Sequence, residues 1–326
     1  MNTLEELKKY FGQYVHISQN GESINLFIDF KRLLDCTADA LIQMWYNWRN
    51  QNNVGRDEME ASAQCMFQMI VLELKSIQKL SEVTTLKVSG VDCHVRDITS
   101  MQNVLRTIYE TVTLFYYIYV KTENIDERKI MFLIWRIKGM NNRQSLVFVP
   151  SKYKKQFEKE KQDIEKDKKL TKSLAKTLNM DPHAYKSLCS IVDNKSNNVC
   201  GFEFVKNPKG KIIEFSKRSF GSRYQSEEIL GDKQYEIYYR SLSSYAHPSY
   251  LGVLQFGQMY NKDVIDQFER TSYCMGISLS CKFAEFFVKS IEGGSEAYSS
   301  LSQNQQIIIK IGANVFPLSA EVTSNM

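Results

Sequence analysis

From Leu26 to Trp48, apolar side chains recur every three or four residues: Leu26, Phe27, Phe30, Leu33, Leu34, Ala38, Leu41, Ile42, Trp45 and Trp48. No proline or glycine interrupts the run. That period places them on one face of a single long helix. The pattern returns from Asp57 to Leu80, with Met59, Met66, Phe67, Ile70, Leu74 and Ile77 on the apolar side, and again from Thr99 to Tyr119, near Asp126 to Ile137, and from Asp263 to Ile291. Proline and glycine both interrupt helices, and only five prolines and 15 glycines occur in 326 residues. The predicted fold class is therefore all-α, an antiparallel helical bundle with additional N-terminal helices.

Asn52 to Gly55 breaks the first two helices, which read as an antiparallel pair. Val83 to Cys93 alternates loosely around Gly90 and reads as a connection. Thr99 and Gln102 have the spacing of a capping box. Ser151 to Asn179 carries ten lysines against five acids, the composition of a solvated helix held by i,i+4 pairs, with an RNA-facing surface as the alternative. Gly201 to Phe215 holds two short alternating runs around a turn-rich KNPKGK, so at most one short β-hairpin is expected. Helical pattern resumes at Asp232, stops or kinks at Pro248, and ends with a helix from Ser295 to Ile311 and a polar tail, Thr323 to Met326. The expected organisation is an N-terminal helical pair over residues 1–90, a central bundle over 91–292, and a C-terminal helix and tail over 293–326.

Composition excludes some classes. With 43% hydrophobic and 24% charged residues, the chain is too apolar to be disordered. A net charge of +5 is compatible with an anionic partner without requiring one. Seven cysteines, an odd number with no CxxC pair, fit a reducing compartment better than a disulfide framework. The start, MNTLEELKKYFG, is charged and amphipathic and reads as a helix, not a signal peptide. The longest uncharged run, Ser241 to Asn261, contains His247 and Pro248 and makes a poor membrane span. A cytoplasmic protein with no membrane partner is expected. There is no Walker A sequence and no GxGxxG. The four histidines, His16, His94, His183 and His247, are scattered, so neither a cofactor nor a metal site is expected.

One segment stands apart, YEIYYRSLSSYAHPSY from Tyr235 to Tyr250. On a helix, Arg240, Ser243, Ser244 and His247 fall at i, i+3, i+4 and i+7 and form a polar stripe that Glu236 extends by a turn. Ile237, Leu242, Tyr245 and Ala246 are assigned to the packed side. An arginine and a histidine two turns apart can address one phosphate. Pro248 disfavours helical geometry at His247, so the helix should end there, where the dipole favours protonated imidazole. The alternative is that Arg240 merely pairs with Glu236 and His247 caps its helix.

The Arg-x6-His spacing on a late helix of an all-α chain resembles the HEPN superfamily. The wider pattern, YYRSLSSYAHPS after a helix containing LRTIYET, is similar to a prokaryotic HEPN-like branch. The resemblance covers about Asp97 to Ile291. It implies a HEPN-like bundle, metal-independent endoribonuclease activity of a defence or toxin-type system, and a homodimer that brings two motifs together. It marks Arg240 and His247. Active members usually carry Asn, Asp or His after the arginine, whereas this chain has Ser241. A non-catalytic module that binds RNA or protein therefore stays open beside the nuclease.

Two further patches are candidates. Asn103, Arg106, Thr107 and Glu110 form a polar stripe, from which Glu110 could pair with Arg240 or orient His247, or simply face solvent. Lys206, Lys209, Lys211, Lys217, Arg218 and Arg223 interleave with Phe215, Phe220 and Tyr224 before the motif, a mixture suited to RNA backbone contact and base stacking. The expected partners are RNA, a second copy of the chain, and an antitoxin or other protein.

Overall fold

The computed structural model describes residues 23–51, 57–146, 148–195, 201–221, 223–231, 234–246, 250–258 and 262–313. The helix expected at MNTLEELKKYFG, the tail from Thr323 and His247 lie outside the described residues. The chain divides into two compact units, one made of Met1–Val112 with Ser226–Met326 and the other of Thr113–Gln225. The boundaries expected at 90/91 and 292/293 both lie within the first unit.

The first unit is built around α10 (Lys262–Ser290), against which α1 (Ser23–Arg49) and α2 (Glu58–Leu80) pack, together with α11 (Gly294–Ser299) and α12 (Gln303–Gly312). Tyr273, Ile277, Cys281, Phe283 and Phe287 of α10 are fully buried, as a helix enclosed by others requires. A Cβ at Gly276 would stand 3.1 Å from Ile77 Cδ1 and 3.2 Å from Leu74 Cδ1, so glycine there lets α2 approach α10 closely. The first two helices run antiparallel. Asp39 pairs with Lys75 at 3.0 Å, while Trp48 meets Phe287, whose ring also packs against Phe67, so residue numbers rise on α1 as they fall on α2. Asp57 caps α2 by accepting from the Glu60 N–H at 2.8 Å.

Where a connection was expected, β1 (Thr84–Val88) and β2 (Val91–Val95) form an antiparallel hairpin, so the described residues hold two hairpins where at most one was expected. The physical reason is the loop. Ser89 and Gly90 both adopt positive φ, 51° and 81°, the geometry of a two-residue hairpin turn. Helix α3 (Ile98–Phe115) follows, and its start is held by Asp97, which accepts from the Ser100 N–H at 3.0 Å. The expected Thr99–Gln102 box gives way because Gln102 turns inward and donates to Ser272 Oγ at 2.7 Å. The last expected helix is two, α11 and α12, separated where Ser302 and Gln305 form a capping box.

In the second unit α3 ends and a π-helical turn, Tyr116–Val120, leads to α4 (Ile125–Gln144). Then come α5 (Lys154–Thr177), α6 (Pro182–Asp193), β3 (Gly201–Lys206) and β4 (Ile212–Arg218), followed by α7 (Arg223–Leu230), within which the second unit ends. The lysine-rich α5 docks on α4 through its acids: Glu160 meets Arg143 at 2.6 Å and Asp167 meets Arg136 at 3.2 Å. Its lysines make i,i+3 pairs, such as Lys161 with Glu158 at 2.8 Å, in place of the expected i,i+4 pairs. The β3–β4 hairpin, the one expected, buries Phe202, Phe204 and Phe215 and packs on α6.

Among the described residues no helix is long and apolar enough to cross a membrane.

Candidate functional site

The motif lies on α8 (Gln234–Ala246) of the first unit, followed by α9 (Tyr250–Gln258). Tyr235, Leu242 and Tyr245 are its buried line. Tyr235 exchanges a 2.6 Å hydrogen bond with Ser278 Oγ of α10, and the Tyr245 ring meets Phe268 edge-on at 6.1 Å. These contacts set the helix rotation and leave Arg240 facing outward, with 76% of its side chain exposed. Ile237 was expected on the packed side, yet it is 68% exposed. Three residues before Arg240, it shares the arginine's solvent-facing side.

Arg240 Nη2 pairs with Glu236 Oε1 at 2.5 Å, one turn back. Exposed i,i+4 pairs are worth only about 0.3–0.5 kcal/mol, so a bidentate anion could displace the carboxylate. Ser243 donates its hydroxyl to Tyr239 O at 2.8 Å, and Ser244 donates to Ser241 O at 2.7 Å. Both donors are spent on their own helix. Either would have to rotate to address a phosphate oxygen.

Glu110 sits beside α8, but its partner is not Arg240. Its Oε1 accepts from Arg106 Nε at 2.9 Å and from the Tyr239 hydroxyl at 2.9 Å. The Arg106 guanidinium lies 5.8 Å from the Tyr239 ring centre, and that ring packs 4.8 Å from Tyr109. Burial, followed by the Glu110 charge, holds the Tyr239 phenol above its ordinary value, and burial pushes Tyr109 up to about 12. Both are neutral at physiological pH. Burial lowers the Arg106 guanidinium, yet the hydrogen bond and charge of Glu110, together with Tyr239, outweigh it and hold the group above its ordinary value. Tyr239 was not singled out from sequence. Its signal was its place four residues after the buried Tyr235, on the same side of the helix.

The basic cluster belongs to the second unit and is largely paired with acids. Arg218 Nε donates to the buried Glu203 at 2.7 Å, Lys211 meets Asp181 at 3.0 Å, and Lys206 meets Glu127 at 2.7 Å. Lys217 is exposed on β4, opposite Phe202. The side chain of Arg223 lies outside the described residues. Among the described residues, no group of three or more His, Cys, Asp or Glu side chains is placed to hold a metal ion. No protein-family model, no curated protein and no solved structure matches this chain.

Proposed function

We propose that the chain is a HEPN-like, metal-independent endoribonuclease of a defence or toxin-type system, acting through Arg240 and His247. The observation that supports this reading best is the outward-facing Arg240, held on a well-anchored helix by one weak ion pair. In this mechanism Arg240 leaves Glu236 and stabilises charge on the phosphorane-like transition state. His247 transfers a proton as the ribose 2′-OH attacks the neighbouring phosphorus; the O2′–P bond forms, the P–O5′ bond breaks, and the products are a 2′,3′-cyclic phosphate and a 5′-hydroxyl that takes up a proton. Ser243 and Ser244, turned from their helix carbonyls, orient the phosphate. Two copies of the motif acting in a homodimer belong to the same proposal.

The test is cleavage of single-stranded RNA by the purified full chain in excess EDTA. Activity that survives the chelator and disappears in Arg240→Ala and His247→Ala supports the assignment. Cleavage that needs a metal, or persists in both variants, refutes it.

A second reading, a non-catalytic RNA- or protein-binding module, draws on three observations. Ser241 follows the arginine, Glu236 occupies the guanidinium, and both serine hydroxyls donate into their own helix. Salt-dependent RNA binding without cleavage would favour it.

A further inference from the structure

The β1–β2 hairpin is amphipathic, and both of its sides are left to solvent. Pairing runs Thr84 to Val95, Leu86 to Cys93 and Val88 to Val91, which puts these residues on one side. Thr85, Lys87, Asp92 and His94 take the other. Leu86, Val88 and Val91 are exposed, Val91 by 63%. A two-stranded hairpin with no covered face is marginally stable in water, and each of its outer edges presents unpaired backbone groups.

The outer edge of β2 is complementary to itself. In a two-residue hairpin the pair flanking the loop, here Val88 and Val91, exchanges hydrogen bonds, and alternate pairs do the same. Val91, Cys93 and Val95 therefore direct their N–H and C=O groups to β1, while Asp92 and His94 direct theirs outward. If a second β2 is laid antiparallel with Cys93 at the centre, Asp92 faces His94 of the second copy as a hydrogen-bonded pair, twice over. Val91 then meets Val95 of the second copy on the apolar side. Centring on Asp92 instead would oppose two carboxylates, and the outer edge of β1 places Lys87 opposite Thr85 with no charge gained.

We propose that the β2 edge is a homodimer interface in which two hairpins join into one four-stranded antiparallel sheet through Asp92–His94 pairs. The inference stands on the hairpin alone and does not depend on RNA cleavage. Cys93 meets its own copy at a non-hydrogen-bonded position, where side chains approach most closely, so it reports the register.

The experiment uses the full chain in a Cys65→Ser background, because Cys65 is also exposed. Sedimentation up to about 100 μM should show a reversible dimer, the range expected of a small interface. Diamide, which oxidises two thiols to a disulfide, should trap it through Cys93 to Cys93, identified by peptide mass. Asp92→Lys and His94→Glu should each weaken the dimer about tenfold, and the double variant should restore it. Circular dichroism checks that each variant folds. A monomer throughout this range overturns the proposal. So does a dimer that is linked only through other cysteines, is indifferent to the single changes, or is not recovered in the double.

Discussion

The Tyr239 hydroxyl donates to Glu110 Oε1 at 2.9 Å, tying the residue before Arg240 to α3. This bond and the i,i+4 pair behind Arg240 divide the polar groups around the motif into two sets. Glu110 serves Arg106 and Tyr239, whereas Glu236 serves Arg240.

Tyr239→Phe removes a half-buried hydrogen bond to a charged acceptor. It should cost about 1–2 kcal/mol at pH 7, measured by urea unfolding. The folded phenol titrates above its ordinary value, so its contribution is full below pH 10 and is lost as pH rises beyond that. The wild type should therefore lose stability above pH 10 more steeply than the variant. Equal slopes would contradict this.

Glu73 on α2 is pushed up to about 7 by burial, and its Oε2 has no hydrogen-bond partner among the described residues. A raised carboxyl favours the folded state below its unfolded value of 4.5, and that benefit is lost as pH rises to about 7. Glu73→Gln should accordingly stabilise the protein by about 1–2 kcal/mol at pH 8, after allowance for partial solvent screening, and by almost nothing at pH 4.5. Thermal melts at the two pH values decide the matter.

Arg96 bridges Asp266 at 2.7 Å and Glu269 at 2.9 Å, and Glu269 is only 1% exposed. Arg96→Ala leaves that buried carboxylate with the Tyr273 hydroxyl, which donates to it at 2.5 Å, but without its cation. The loss should reach about 3 kcal/mol, read from urea unfolding at pH 7, and should shrink toward pH 4 as the stranded group protonates. Glu269 is already raised by burial, with Arg96 and Tyr273 opposing the shift.

Glu236→Gln releases Arg240 from its pair. Because the Arg240 end of this i,i+4 pair is largely open to solvent, stability should fall by no more than about 0.5 kcal/mol. Single-stranded RNA should bind about two- to fivefold tighter by fluorescence anisotropy at low salt. Unchanged affinity would remove Arg240 from RNA contact in both functional readings.

The helical class was legible because three-four periodicity reports burial on one side of a helix, whatever that side packs against. Leu34, Leu41, Phe67, Ile70 and Leu74 are all buried as that period requires. The β1–β2 hairpin was not legible, because its apolar side is uncovered and its strands are only five residues each. On α8 the outward position of Arg240 was legible, whereas Ser243 and Ser244 are half-buried and Ile237 is exposed, because one turn of helix cannot fix where the buried line runs.

Sequence by itself determined that Arg240, Ser243 and Ser244 share a helix and that Glu236 stands one turn before the arginine, since helix geometry sets such spacing locally. Only tertiary structure decided that Glu110 bonds Tyr239, that Glu203 takes Arg218, and that Gln102 leaves its cap for Ser272. Two of these choices join partners more than a hundred residues apart, and the third joins the two strands of one hairpin. Which pair forms depends on how helices and strands are rotated when their apolar sides are buried, and local spacing carries no information about that rotation.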